Sequence, residues 1–152
     1  MTQYQQDLEW MRLALAEAKK AADEGETPIG AVLVRDGVLL TAAHNARERT
    51  HDIGAHAELL ALRQAGECLG DWRLGDCTLY VTLEPCPMCA GAILASRVGR
   101  VVYGAKDATA GAMGSVLNLP CYPLGARPAV TGGVLEDECR AILQEFFKKR
   151  RK

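Results

Sequence analysis

A chain of 152 residues, 49% hydrophobic and 24% charged, is long enough to bury a core and short enough to read as one domain, residues 1–152. A formal net charge of −1 excludes a molecule that coats nucleic acid through overall charge alone. The apolar runs are too short to span a bilayer, and the N-terminus lacks a basic segment followed by an unbroken apolar stretch, so no membrane partner is expected and the expected location is cytoplasmic.

In such a compartment Cys68, Cys77, Cys86, Cys89, Cys121 and Cys139 read as reduced thiols rather than a disulfide framework. Cys68, Cys77 and Cys139 are expected to be buried or half-buried and without chemistry. Leu8, Met11, Leu15, Ala18 and Ala22 recur at three- and four-residue steps, which predicts an amphipathic helix from Thr2 to about Glu24, stopped by Gly25. Trp10 and Leu13 widen its apolar face as core residues. Ile29 to Val34 is rich in β-branched residues, and Asp36-Gly37 before Val38-Leu39-Leu40 marks a hairpin whose second strand ends near His44-Asn45.

Ala46 to Gly54 reads as a polar loop. A helix is expected from Ala55 to near Gly66, with His56 and Glu58 in its first turn. Thr78 to Leu83 is the next strand, followed by a helix from about Cys86 to Ser96 that tolerates Pro87 in its first turn. Val98 to Tyr103 predicts another strand. Ala105 to Pro128 is a long Gly- and Pro-containing irregular segment of a kind that often carries function. Ala129 to Thr131 forms a short edge strand, and Glu136 to Arg151 a terminal helix, acidic at its start and basic at its end. Strands alternating with helices predict an α/β fold with parallel pairing through right-handed crossovers.

The chemistry gathers at Cys86-Pro87-Met88-Cys89 and at His56-Ala57-Glu58. Two thiolates and an imidazole suit Zn²⁺. A structural zinc site closes with a fourth protein ligand, for which His44, His51 and Cys121 are available without characteristic spacing. A catalytic site leaves that position to water and needs a nearby carboxylate for proton transfer, which Glu58 supplies. A CxxC alone would equally suit a redox pair, but a redox pair has no use for the histidine and glutamate. The combination favours a hydrolytic zinc enzyme. The basic run Lys148, Lys149, Arg150, Arg151 and Lys152 suits RNA phosphates, and equally suits the negative end of a helix dipole.

The spacing H-x-E…P-C-x-x-C is the signature of zinc nucleobase deaminases. The sequence resembles the cytidine-deaminase superfamily and, within it, the bacterial tRNA-specific adenosine deaminases. The resemblance rests on Pro28 to Val34, His44-Asn45, Ala55 to Glu58, Leu79 to Ile93, Gly104-Ala105-Lys106-Asp107, Gly111 to Ser115, and Phe146-Phe147 before the basic end. It implies a three-layer α-β-α sandwich around a central mixed five-stranded sheet. It also implies a homodimer that deaminates adenosine to inosine at the wobble position of a tRNA anticodon stem-loop. By the matching positions, one zinc per chain would be held by His56, Cys86 and Cys89, with Glu58 as proton shuttle. Asn45 would hydrogen-bond the flipped base or its ribose; without the resemblance it is an ordinary turn asparagine. Ile29 and Leu83 would pack against the base, or simply fill the core. Asp107 would contact a neighbouring nucleotide, Lys106 a phosphate, and the backbone around Glu84 the departing amine.

Two departures stand out. Ile53-Gly54 occupies the place where the family commonly has Pro-Thr, and Leu119 to Pro128 lacks the Asn-His pair of many relatives, part of whose contacts Arg127 would replace. The rival reading is a deaminase of a free base or nucleoside, of guanine or cytosine type, with the same zinc site. A third is a non-catalytic RNA-binding zinc protein, which would have no use for Glu58.

Overall fold

Thr2 caps the first helix, α1 (Gln3–Asp23), through a reciprocal pair: its hydroxyl accepts from Gln5 N–H at 3.1 Å, and its own N–H donates to Gln5 Oε1 at 2.8 Å. The structure, a computed structural model, describes residues 1–150, so Arg151 and Lys152 of the basic tail lie outside the described residues. Strands β1 (Gly30–Arg35) and β2 (Val38–His44) form the expected hairpin, with Asp36 at φ 52° and Gly37 at φ 71°. Both turn residues have positive φ, matching the right-handed twist of the strands. Then follow α2 (Arg47–Thr50), α3 (Ala57–Leu69), β3 (Cys77–Leu83), α4 (Pro87–Ala95), β4 (Arg100–Ala105), β5 (Ala129–Thr131) and α5 (Glu136–Arg150).

The sheet runs β2-β1-β3-β4-β5. It is mixed, as the resemblance implied, with the expected hairpin at one edge and the expected parallel pairing across the crossovers from β3 to β4 and from β4 to β5. β1 pairs antiparallel with both β2 and β3, while β3–β4 and β4–β5 are parallel. The physical reason is that α3 carries the chain from β2 over β1 to its far side. β2 and β3 therefore run the same way with β1 between them. β5 is the expected edge strand.

Alternating strand residues feed two cores. Ala31, Leu33, Leu79, Val81 and Val101 face α3 and α4, while Val32, Val34, Tyr80 and Val102 face α1 and α5. Helices thus cover both faces of the sheet, giving the three-layer α-β-α sandwich. Within α1 the buried stripe is Asp7, Met11, Ala14, Glu17, Ala18 and Ala21. Trp10 is half-buried as expected, but Leu13 is exposed, because it lies off that stripe. Cys77 and Cys139 are buried as expected; Cys68 is exposed, because it falls on the outward face near the end of α3. Among the described residues no helix is long and apolar enough to cross a membrane.

Three element boundaries differ from expectation. Ala46 to Gly54 contains the one-turn helix α2, organised by buried Glu26, whose carboxylate accepts Glu48 N–H at 3.0 Å and Arg49 N–H at 2.6 Å. α3 runs through Gly66 and stops at Gly70, which takes the left-handed conformation. The segment after β4 contains a 3₁₀ turn, Leu119–Cys121, with Pro120 buried.

The layer of α1 is fastened to the sheet by a buried carboxylate. Asp7 accepts two hydrogen bonds from Arg100, at 2.8 and 2.7 Å, and one from Tyr80 Oη at 2.7 Å. Burial alone would raise the Asp7 pKa, but the hydrogen bonds from Arg100 and Tyr80 outweigh it and hold the carboxyl below its usual range. Replacing Arg100 by Met leaves a buried charge without its partner and is expected to cost about 3–5 kcal/mol in urea unfolding. A loss under about 1 kcal/mol would show that the pair does not hold α1. Because the folded Asp7 pKa lies below the unfolded one, its contribution is complete above about pH 4 and is lost as pH falls through the folded value. The stability gap between wild type and Asp7→Asn should therefore close on acidification below that pH.

Candidate active site

Two helix starts meet beside the ends of β2 and β3. His56 is the N-cap of α3 and Cys86 the N-cap of α4, both in extended conformation, so each precedes its helix rather than lying in the first turn. Glu58 is the second helical residue of α3, and Cys89 the third of α4. Pro87 opens α4, where its missing N–H costs nothing. The cap position turns the Cys86 thiol back toward Cys89, and both lie where helix N–H groups favour negative charge.

His56 Nδ1 stands 3.7 Å from Cys86 Sγ and 3.5 Å from Cys89 Sγ. Zn–N and Zn–S bonds of ordinary length at a tetrahedral angle place nitrogen and sulfur about 3.6 Å apart. The donor set and its spacing therefore fit a zinc ion. Among the described residues this is the single cluster of three or more His, Cys, Asp or Glu side chains that could hold a metal. Neither His44 nor Cys121 joins it. His44 Nδ1 lies 3.1 Å from Glu17 and Nε2 2.9 Å from Glu24, and Cys121 is exposed in the 3₁₀ turn. His51 also lies outside the cluster, at the left-handed end of α2.

The electrostatics suit a cation. Cys86 is pulled down to about 4 by the Cys89 thiol, with His56 and the Cys89 N–H assisting against burial. Cys89 is pushed up because Cys86 takes the negative charge and because it is fully buried beside Glu58. His56 is raised, chiefly by Cys86. Glu58 is 4% exposed, and burial lifts its carboxyl to about 7, against the pull of its own backbone N–H and of His56. A carboxyl that exchanges a proton near neutrality is what a general acid–base catalyst requires.

Asn45 comes alongside through the backbone. Its N–H donates to Ile29 C=O at 3.0 Å, and the Ala46–Ala55 hydrogen bond at 2.9 Å closes the loop that brings it toward His56. Asn45 is 5% exposed, yet among the described residues its Oδ1 has no hydrogen-bond partner. A buried amide oxygen without a protein partner is free to accept a hydrogen bond from water or from a bound molecule. Ile29 is half-buried against the α3–α4 core. Leu83, also half-buried, packs instead against the α1–α5 core.

On the other flank, Glu84 N–H donates to Ala105 C=O at 2.9 Å, so the Lys106-Asp107 segment leaves β4 beside the metal-binding turn. Lys106 is exposed and, among the described residues, forms no ion pair; Asp107 is half-buried, and its side chain accepts Thr109 and Ala110 N–H groups at 3.0 and 3.2 Å. Arg127 is exposed in the divergent loop. The Glu84 side chain turns inward, where it is 1% exposed. Its carboxyl stays below the usual range because hydrogen bonds from Ser115, Asp107 and Met113 outweigh burial. Sequence reasoning missed Met113 and Ser115 as its partners, and Glu26 as the organiser of α2. The one available signal was the Gly111-Ala112 pair of small residues in a loop.

The sequence matches the MafB19-like deaminase family over residues 5–151. It is 50% identical over 148 residues to a tRNA-specific adenosine deaminase of Bacillus subtilis, covering 97% of this chain and 92% of that one. Among solved structures it is similar to a tRNA:A34 deaminase described for A-to-I editing at the wobble position, with TM-score 0.87, 44% identity, and 89% of this chain and 99% of that one covered. It is also similar to the guanine deaminase from Nitrosomonas europaea, with TM-score 0.75, 26% identity, and 91% of this chain and 83% of that one covered. A matched span that begins in α1 and takes in the triad, the Glu58 turn and the loops on both flanks leaves one assignment: the chain belongs to the MafB19-like deaminase family.

Proposed function

We propose that residues 1–152 form one deaminase domain that converts adenosine to inosine at the wobble position of a tRNA anticodon, as a zinc-dependent hydrolase. The carrying observation is the meeting of the His56, Cys86 and Cys89 cluster with the buried carboxyl of Glu58, two residues past His56. The named activity of the Bacillus relative supports adenosine in tRNA over a free base.

When bound, zinc supplies a Lewis acid that activates water at neutral pH. Glu58 would take one proton from the attacking water and give it to the ring nitrogen, then carry the second, from the hydroxyl now on C6, to the departing amine, so that adenosine and water become inosine and ammonia. Asn45 Oδ1 accepts a hydrogen bond from the flipped nucleotide, which satisfies that otherwise unpaired atom. Ile29 packs against the base, Leu83 serves the α1–α5 core instead, and the Glu84 backbone holds the amine as it leaves. Lys106 and Asp107 contact the flanking nucleotides. An anticodon base is already unpaired, so its extrusion costs little.

A homodimer in the cytoplasm goes with this reading. The groove between α3 and α4, about 980 Å³, is lined by Leu59, Leu62, Trp72, Ala92 and Ala95, and Trp72 is 52% exposed there.

The test is to incubate the zinc-loaded protein with tRNA and, separately, with guanine, cytosine and adenosine. Inosine at the wobble position is expected, and ammonia from the free bases alone would favour the rival. Lys148, with Arg151 and Lys152, is expected to contribute to RNA affinity. Arg150 is already engaged, donating to Gly25 C=O and lying 4.5 Å from the Phe146 ring. Replacing Lys148, Arg151 and Lys152 by Ala should flatten the log–log dependence of RNA affinity on salt, by about 0.7 in slope for each phosphate no longer neutralised. An unchanged slope would assign the tail to the helix dipole.

A further inference from the structure

The loop from Lys106 to Asn118 hangs on one side chain. Glu84 stands at the end of β3, two residues ahead of Cys86. One of its carboxylate oxygens accepts Met113 N–H at 3.0 Å and Ser115 N–H at 3.1 Å. The other accepts Asp107 N–H at 3.2 Å and the Ser115 hydroxyl. Gly111 closes over the group so tightly that a Cβ there would stand 2.5 Å from both the Glu84 carboxyl carbon and Oε2. Ala112 N–H adds a bond to Pro85 C=O at 2.8 Å, inside the segment that leads to Cys86.

Burying a carboxylate is costly unless its lone pairs are filled. Here all four donors come from a single irregular loop and none from a helix or a strand. A side chain that only filled the end of β3 would be apolar. One that only steadied the metal-binding turn would bond to that turn. Glu84 does neither. Its bonds reach across 23 to 31 residues to the start and the middle of a loop that has little regular structure of its own.

We propose that Glu84 is a positioning residue for the nucleic-acid substrate. Its carboxylate locks Asp107 to Ser115 into one conformation against the Pro85-Cys86 turn, and so fixes where Lys106 and Asp107 stand relative to the metal cluster. The assignment of the loop to substrate binding rests on the function proposed above; the tether itself does not. A preformed loop spares the substrate the cost of ordering it, so losing the tether weakens substrate capture more than the chemical step.

The experiment compares zinc-loaded wild type with Glu84→Gln and Gly111→Ala. Gln turns donors toward donors on one side of the group, while a Cβ at Gly111 keeps the charge but presses on the carboxylate and, at the same 2.5 Å, on the Asp107 carbonyl oxygen. Three quantities are read: zinc per chain, amide hydrogen exchange of Asp107, Met113 and Ser115, and kcat and KM on an anticodon stem-loop RNA. Loss of charge-assisted hydrogen bonds should raise KM roughly 10-fold in both variants, with kcat within about threefold and zinc unchanged. The three amides should lose protection while those of β3 and β4 keep theirs. Should either variant fold poorly, Ser115→Ala removes a single bond and should move the same quantities less. Unchanged protection would overturn the proposal, and so would a collapse of kcat together with loss of zinc. If wild type deaminates no RNA, the functional reading falls, and the exchange data still decide whether Glu84 holds the loop.

Discussion

Glu58→Gln is expected to lower inosine formation by about 10²–10⁴-fold while leaving one zinc per chain, the range over which a positioned general acid–base contributes. The substitution is nearly isosteric, which matters at a residue only 4% exposed. It keeps the packing at the start of α3 and the position of His56, two residues earlier, and removes only the capacity to accept and return a proton. Folding stability should not fall, because burial already disfavours the charged form of this carboxyl. Zinc content measured beside the rate separates the two roles a carboxylate can have near a metal. Loss of activity with zinc retained assigns Glu58 to proton transfer. Loss of zinc would make it a ligand. Activity within about threefold of wild type would remove it from the mechanism and revive the reading of a zinc protein without catalysis.

Legibility of this site in the sequence followed the range of the interactions. His56, Glu58, Cys86 and Cys89 could be picked out because metal chemistry demands particular side chains at short spacings, and each pair sits at the start of one helix. The hairpin at Asp36-Gly37 was legible for the same reason, since its turn residues carry their own conformational signature. The antiparallel pairing of β1 with β3 was not. Strand–helix–strand order says which way β2 and β3 run but not that the crossover lands on the far side of β1.

The two buried carboxylates that shape the flanking loops were equally silent. Glu26 holds Glu48 and Arg49 across 22 and 23 residues, and Glu84 holds Ser115 across 31. At those separations nothing in the local pattern distinguishes a buried acceptor of backbone N–H groups from a solvated glutamate. Asn45 was singled out only through the resemblance; its unpaired Oδ1 in a 5%-exposed side chain is a physical reason that exists only once the fold is formed.

Cys89→Ser is expected to abolish both zinc retention and deamination. Cys89 is fully buried at the third position of α4, 3.5 Å from His56 Nδ1. A serine hydroxyl there keeps the shape of the side chain but is not ionised at neutral pH, so two protein donors remain where three converged. Changes in groups that merely orient metal ligands already weaken metal affinity about 10–100-fold, and loss of a ligand should exceed that. Dialysis should then leave the variant with little zinc, whereas Cys68→Ser, an exposed thiol, should keep its full complement. Stability supplies a second readout that does not depend on activity. A ligand present at about 1,000 times its dissociation constant stabilises the folded state by about 4 kcal/mol. Adding zinc to the stripped wild type should therefore raise its unfolding midpoint, and adding it to Cys89→Ser should not. If Cys89→Ser held zinc as tightly as wild type, the His56–Cys86–Cys89 assignment would fail. The unfolding measurement still decides the outcome if the variant is inactive for some unrelated reason, because metal binding to the folded chain must appear in its stability whether or not a substrate is ever turned over.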